Sequence, residues 1–323
     1  MSKSKVLIIV ATALVVVGLV TCGISLAAID FDPSRLSSGN FETSEYSLTD
    51  DFQSVNIAID SAKIEILPSE TGECLIECRE DKNEPYNVEV NGATLTITQQ
   101  RTRNFNIGFF TEKPRVTLYL PKEEYSTLAI ENDAGDIVIS EGFTFSAVDI
   151  KVDLGSVDCS ADVSGLLSIE TDAGEISVND TSANAVKLKT DVGSIAVSSV
   201  ECAEGLEVSS DTGKVTLKDV TCESLSSDGD TGSLILTSTF ATGRFDLKRQ
   251  TGDIWLNGCD AAEIYAKTDT GSVTGMLFSD KIFFASTDTG SVNVPKTTTG
   301  GRCEITTDTG DIDIVVESKG DRT

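Results

Sequence analysis

The sequence predicts an all-β chain: a single-stranded parallel β-helix (β-solenoid) with 19–20-residue rungs over residues 125–316, preceded by one transmembrane helix. Three observations predict it. Glycines return at an almost constant interval, an aliphatic residue follows each at a fixed offset, and a run of 24 residues near the amino terminus carries no charge. Solenoids grow by adding rungs, so 323 residues need not divide into several compact domains.

Residues 1–5 contain Lys3 and Lys5 and read as a short cytoplasmic tail. Residues 6–29 are uncharged and exceed the roughly 20 residues that a helix needs to span a bilayer. Secretory apolar segments are shorter, about 7–15 residues. The expectation is a single-pass anchor in the cell membrane, with the rest of the chain extracytoplasmic. Leu19-Val20-Thr21-Cys22 loosely resembles a lipoprotein processing site, but the apolar run continues to Ile29. Residues 30–49, rich in Ser, Thr, Asp and Glu, read as a spacer.

Residues 50–124 are expected to form an irregular β region that caps the open end of the stack. Val55, Ile57, Asp60, Ala62, Ile64 and Ile66 fit the repeat in degenerate form, with Ala62 in the glycine position. Beyond them, residues 74–78, 87–90 and 95–98 read as strands, with Asn91-Gly92 as a hairpin turn. Residues 116–120 read as another, ended by Pro121.

The repeat proper has corner glycines Gly135, Gly155, Gly174, Gly193, Gly213, Gly232, Gly252, Gly271, Gly290 and Gly310. The gaps between them are 20, 19, 19, 20, 19, 20, 19, 19 and 20 residues. Two residues before each stands an Asp, except at Gln250. Two residues after each stands Ile, Val or Leu, from Ile137 to Ile312, without exception. Apolar pairs lie seven and five residues before most glycines, with Leu225/Ser227 the outlier. Period-two alternation on both flanks of a turn means strand–turn–strand, one face inward. Gly permits positive φ without a Cβ clash, and the Asp is expected to accept a backbone N–H in an Asx-turn. Between strand pairs, Phe143, Val163, Val200, Val220, Phe240 and Phe278 are further inward candidates that close the cross-section. Parallel strands spaced roughly 4.8 Å apart make ten rungs a rod of about 48 Å. Residues 317–323 form a short tail.

Composition excludes several function classes. Lys and Arg total 25 against 52 Asp and Glu, a net charge of −27, which repels phosphate backbones and makes nucleic acid an improbable partner. There is no His, so Ser-His-Asp and Cys-His catalysis and His-ligated metals are ruled out. No cofactor is expected. Stacked carboxylates attract hard cations, so Asp133, Asp172 and Asp308 are candidate Ca²⁺ ligands, set against a purely turn-forming role for the column. Cys202 and Cys222 occupy equivalent positions on neighbouring rungs, which suits either a disulfide or a ladder of small core residues. Cys74 and Cys78, four apart on a strand, cannot reach each other. One rung departs from the pattern: Arg249-Gln250 replaces Thr-Asp, and Trp255 falls on an outward position beside Ile235. Ile235, Arg249 and Trp255 are therefore a candidate binding patch.

The segment from Phe52 through Ser-Val-Asn-Ile-Ala-Ile to Ile66, then residues 116–122 with Pro121-Lys122, then the Thr-Asp-x-Gly-x-Ile units, resembles a bacterial β-strand-repeat "putative adhesin" family of unknown function, common in Gram-positive bacteria. The resemblance covers about residues 45–316 and implies an envelope-anchored surface protein. It fixes no ligand and no catalytic residue. Three readings follow: a non-enzymatic surface rod for adhesion or scaffolding, a regulatory envelope protein acting through membrane partners, and a polysaccharide-degrading β-helix enzyme. The evenly spread acids argue against the last.

Overall fold

The computed structural model describes residues 14, 15, 18, 41–99 and 114–317. Leu14, Val15 and Gly18 are helical; the anchor expected over residues 6–29 otherwise lies outside the described residues. No helix among the described residues is long and apolar enough to cross a membrane. The remainder is strand and turn, an all-β solenoid of about ten turns.

The corners align. On the side leading into each glycine, Ile130, Ile150, Ile169, Leu188, Val208, Ser227 and Leu247 lie in one parallel register. On the side leaving it, Ile137, Val157, Ile176, Ile195, Val215, Leu234, Ile254 and Val273 do the same. Both columns are buried, and each aliphatic side chain removed from water stabilises the fold by about 1.5–3 kcal/mol. On the third side Phe143, Val163, Val200 and Val220 are buried as expected. Phe240 and Phe278 are not: they are half-buried and stack on one another at 6.0 Å, while Thr239, Cys259 and Leu277 take the inward positions.

Stacking demands glycine at the corner more than the turn does. A Cβ on Gly193 would lie 1.8 Å from the Gly174 carbonyl oxygen, and one on Gly213 would lie 1.8 Å from that of Gly193. Gly135, Gly155, Gly193, Gly232, Gly252, Gly271, Gly290 and Gly310 also have φ between +131° and +158°, a region that side chains disfavour.

The Asx-turn expectation is corrected. The Asp side chains of the interior corners, including Asp153, Asp172 and Asp211, point outward at the end of the strand and are exposed. The hydrogen bonds at the corner come from the residue before them, three positions ahead of the glycine, which period two turns inward. Thr171 Oγ1 donates to Gly155 O (3.2 Å), Thr190 to Gly174 O (3.2 Å), Ser210 Oγ to Gly193 O (3.0 Å), Thr268 to Gly252 O (2.9 Å) and Thr307 to Gly271 O (2.9 Å). Each buried hydroxyl thus satisfies a carbonyl one layer away. A second corner, six residues after the glycine, puts Asp180, Ser199, Asp219 and Ser238 in left-handed conformations at φ 49° to 56°, and Gly258 at 65°.

Both ends of the stack depart from sequence order. The amino-terminal strands are β1 (Phe41–Leu48), β2 (Ser54–Ser61), β3 (Lys63–Pro68), β4 (Cys74–Asp81), β5 (Tyr86–Asn91), β6 (Thr94–Gln99), β7 (Arg115–Leu120), β8 (Glu124–Ala134) and β9 (Ile137–Ile139). β2 and β3 form a regular rung rather than part of an irregular cap, lying parallel to β8 and β9 on one side and to β6 and β7 on the other. Antiparallel strands then close the end: β5 on β6, β4 on β7, and β1 on β4. β1 occupies residues 41–48 of the stretch expected to be a spacer. At the other end, the strand Gly301–Thr309 pairs with Ile254–Thr270 on one side and Lys281–Thr289 on the other. Likewise Ile312–Val316 lies between Val273–Leu277 and Val292–Asn293. The later segment is inserted, and the Gly290 rung is the outermost layer. Gly300 and Gly301 make the insertion fit, since their Cβ atoms would meet Asp280 O at 1.7 Å and Ala262 O at 1.8 Å. Lys281, 2% exposed, places its Nζ 2.6 Å from Asp260 Oδ1 and so ties the outer layer to the body.

Candidate binding surface

The Asp column runs along the corner edge. Asp133, Asp172 and Asp308 are exposed, and the rung of Asp153 separates the first two. No group of three or more Cys, Asp or Glu close enough to hold a metal ion occurs among the described residues. The next column outward-to-corner is Ala134, Leu154, Ala173 and Val192, continuing in register as Thr212, Thr231, Thr251, Thr270, Thr309 and Thr289. Leu154 and Val192 are 61% and 57% exposed.

The three residues of the expected patch separate. Ile235 and Trp255 are register partners on adjacent rungs, and Trp255 is 42% exposed. Arg249 is elsewhere, 3% exposed in the inward hydroxyl column. Its Nη2 donates to Ser227 Oγ (2.9 Å) and its Nη1 to Lys248 O (2.6 Å). Gly229, in the same column one rung back, leaves the space that the guanidinium fills, and a Cβ there would lie 3.1 Å from Nη1. The two irregularities of the repeat, Ser227 and Arg249, are therefore one feature. Burial lowers the Arg249 pKa to about 10, only partly opposed by the nearby Asp228 carboxylate.

Around Trp255 the outward face is nearly uncharged. Ser177, Ala196, Thr216, Ile235, Trp255 and Thr274 form one outward column in register, and Asn179, Ser198, Lys218, Thr237, Asn257 and Met276 form the next. Lys218 is the single charge among these twelve positions of a chain carrying −27. Only Trp255 and Ile235 drew attention in the sequence; the rest follows from counting three and five residues past each glycine.

A second surface was not anticipated. Beside the amino-terminal cap, Glu65, Glu77, Arg79, Arg115, Thr117 and Tyr119 line a depression of about 480 Å³. Cross-strand pairing makes a basic row, Arg79–Arg115–Lys63, next to a row holding Glu45, Glu77 and Glu65. Lys63 Nζ lies 2.6 Å from Glu65 Oε1, and Arg115 Nε 3.8 Å from Glu65 Oε2, so the rows largely neutralise each other. Burial and then the Glu77 and Glu65 carboxylates raise the Tyr119 pKa.

The seven cysteines described are buried free thiols. Cys202 Sγ donates to Gly205 O (3.1 Å), and burial followed by the neighbouring Cys202 pushes the Cys222 thiol up to about 12. Such thiols pack as small core residues and are poor nucleophiles.

Structural comparison finds similarity to solved bacterial proteins. A "putative adhesin" from Parabacteroides distasonis is 14% identical, with 86% of this chain and 98% of that chain covered and a TM-score of 0.48. A "putative adhesin" from Bacteroides fragilis is 17% identical, with the same coverages and a TM-score of 0.37. A protein from Parabacteroides distasonis described as a "putative lipid binding protein" is 16% identical, again with the same coverages, at 0.42. No curated protein matches the chain. One family model matches twice in tandem, over residues 52–205 and 202–323, and the chain thus belongs to the Toastrack DUF4097 family.

Proposed function

We propose that the chain is a non-enzymatic cell-surface rod, held at the membrane through residues 6–29, that binds uncharged polar polymers along the face centred on Trp255. The carrying observation is the near absence of charge from that face over six rungs. A carboxylate-rich surface costs nothing in water, whereas a flat array of Ser, Thr and Asn around one exposed Trp suits a ligand with hydroxyls and an apolar ring face. A neutral glycan of the envelope or of a host matrix has that chemistry. A ligand recognised by charge would need the opposite surface, and its binding would weaken with salt.

Trp255 is the only tryptophan in the chain, so its fluorescence reports directly on this face. Titration with neutral polysaccharides and with acidic and basic ones should shift Trp255 emission for the neutral class alone, with little salt dependence. Trp255→Ala should abolish retention on cell-wall fractions. Retention that survives this substitution, or that needs low salt, would overturn the proposal. The enzyme alternative draws on the Glu65–Glu77–Arg79–Arg115 depression, and release of reducing ends by wild-type protein but not by Glu77→Gln would favour it instead.

A further inference from the structure

The two ends of the stack are finished differently. At the amino-terminal end, the antiparallel strands β1, β4 and β5 cover the last parallel layer, and Tyr86, Leu95 and Ile97 there are at most 4% exposed. At the other end nothing among the described residues lies beyond the Gly290 rung. Lys281–Thr289 pairs only with Gly301–Thr309, and Val292–Asn293 only with Ile312–Val316. One layer in, Cys303, Ile305 and Ile312 are fully buried. Their stack-mates Phe283 and Ala285 are only half-buried, and Val292 is 44% exposed. Outward-pointing Ile282 and Phe284 add 38% and 49% exposure, with the Arg302 guanidinium 4.5 Å from the Phe284 ring. The core is therefore cut across, leaving an apolar end face and two strands that pair on one side only, a ready template for pairing.

We infer that this end face is an interface between two copies of the chain, which meet end to end about a two-fold axis and continue the core from one rod into the other. Three observations select a second copy. The open edges lie on two sides of the corner at once, so one added strand would cover Phe283 and Ala285 yet leave Val292 bare. A second rung with the same outline covers both sides together. The charge is also right. Residues 281–294 hold only Lys281, which is paired inward with Asp260, and Asp288. A chain of net charge −27 resists self-association over most of its surface but not here. Finally, the core at the opposite end is already covered, with Tyr86, Leu95 and Ile97 buried, so the apolar end faces pair two at a time instead of propagating into fibres.

The test is the mass of the full-length chain in mild detergent by light scattering, together with oxidative cross-linking. Wild type at about 100 µM should be a dimer that dissociates on dilution. Phe284→Lys and, separately, Val292→Asn should give monomers with a melting temperature within a few degrees of the diluted wild type. Ile282→Cys should form a disulfide-linked dimer, and Lys187→Cys, on the flank of the rod, should not. A wild-type monomer at that concentration would overturn the inference. So would a dimer unaffected by both substitutions, which would place association in the membrane segment or on another face. A monomer whose residues 281–293 are protected from hydrogen exchange only while residues 318–323 are present would also overturn it, by showing that the chain covers its own end. None of these outcomes bears on the Trp255 face, whose fluorescence test stands apart.

Discussion

Gly213→Ala separates stacking from backbone strain. Gly213 has no left-handed φ, so alanine meets no conformational penalty there, yet its Cβ would lie 1.8 Å from the Gly193 carbonyl oxygen. Contacts of that kind shorter than about 3.0 Å are essentially never seen, so the two layers must part by more than about 1 Å at the corner. That opening disrupts the two bonds that cross the same gap, from Gly193 N to Thr212 O (2.9 Å) and from Ile195 N to Lys214 O (3.0 Å). With about 1 kcal/mol for each bond and about 1–3 kcal/mol for overpacking, the expected loss is about 3–5 kcal/mol. Gly92→Ala is the control, because Gly92 has φ +62° and open space around its Cβ position, so only a strain of about 1–2 kcal/mol applies. Urea unfolding followed by circular dichroism and Trp255 emission measures both. Solenoids can unfold rung by rung, so hydrogen exchange at the Gly193 and Gly232 amides should localise the damage. A loss for Gly213→Ala no larger than for Gly92→Ala would refute the claim that layer contact dictates these glycines.

The remaining expectations are simpler. Ser199→Gly and Ser238→Gly relieve left-handed strain at the second corner and should each raise stability by up to about 1 kcal/mol in the same urea assay. With no His, stability should be flat between about pH 5.5 and 8. It should then fall above about pH 9, because burial pushes the thiols of Cys78, Cys222 and Cys303 up to about 12 and raises Tyr86 and Tyr125 as well. The folded state there holds protons that the unfolded chain has released, so stability drops as pH rises; Arg249, lowered to about 10, opposes this alone. Thermal melts from pH 5.5 to 11 check both parts.

Much of the architecture was legible because its cause is local and repeated. A glycine at each corner and an aliphatic two residues later are imposed by contact with an identical neighbour, so they recur in the sequence at the rung period. The hydroxyl column was equally visible but misread. The bonding role went to Asp, although the parity that turns Leu206 and Val208 inward also turns Ser210 inward, and a polar group facing a core needs a partner. The same parity places Arg249 inside, away from Trp255. The interleaved ends were not legible, since no local pattern says which layer a rung joins. The one hint is Gly300-Gly301, a glycine pair that lies outside the corner column. The Trp255 face escaped notice because it is defined by missing charge, which shows only once the rungs are laid side by side.

The inserted layer has a consequence for how the molecule assembles. Residues 281–293 are made before residues 301–316, and at that moment the bare edge of residues 254–277 is the nearest place for them. Their alternation suits that edge, where residues 301–316 stand in the finished fold. The finished arrangement needs the later segment in that slot and the earlier one a layer further out. If residues 281–293 dock on that edge first, completion requires an exchange of one strand for another, and a slow refolding phase that disappears when residues 281–300 are deleted is the expected sign of it.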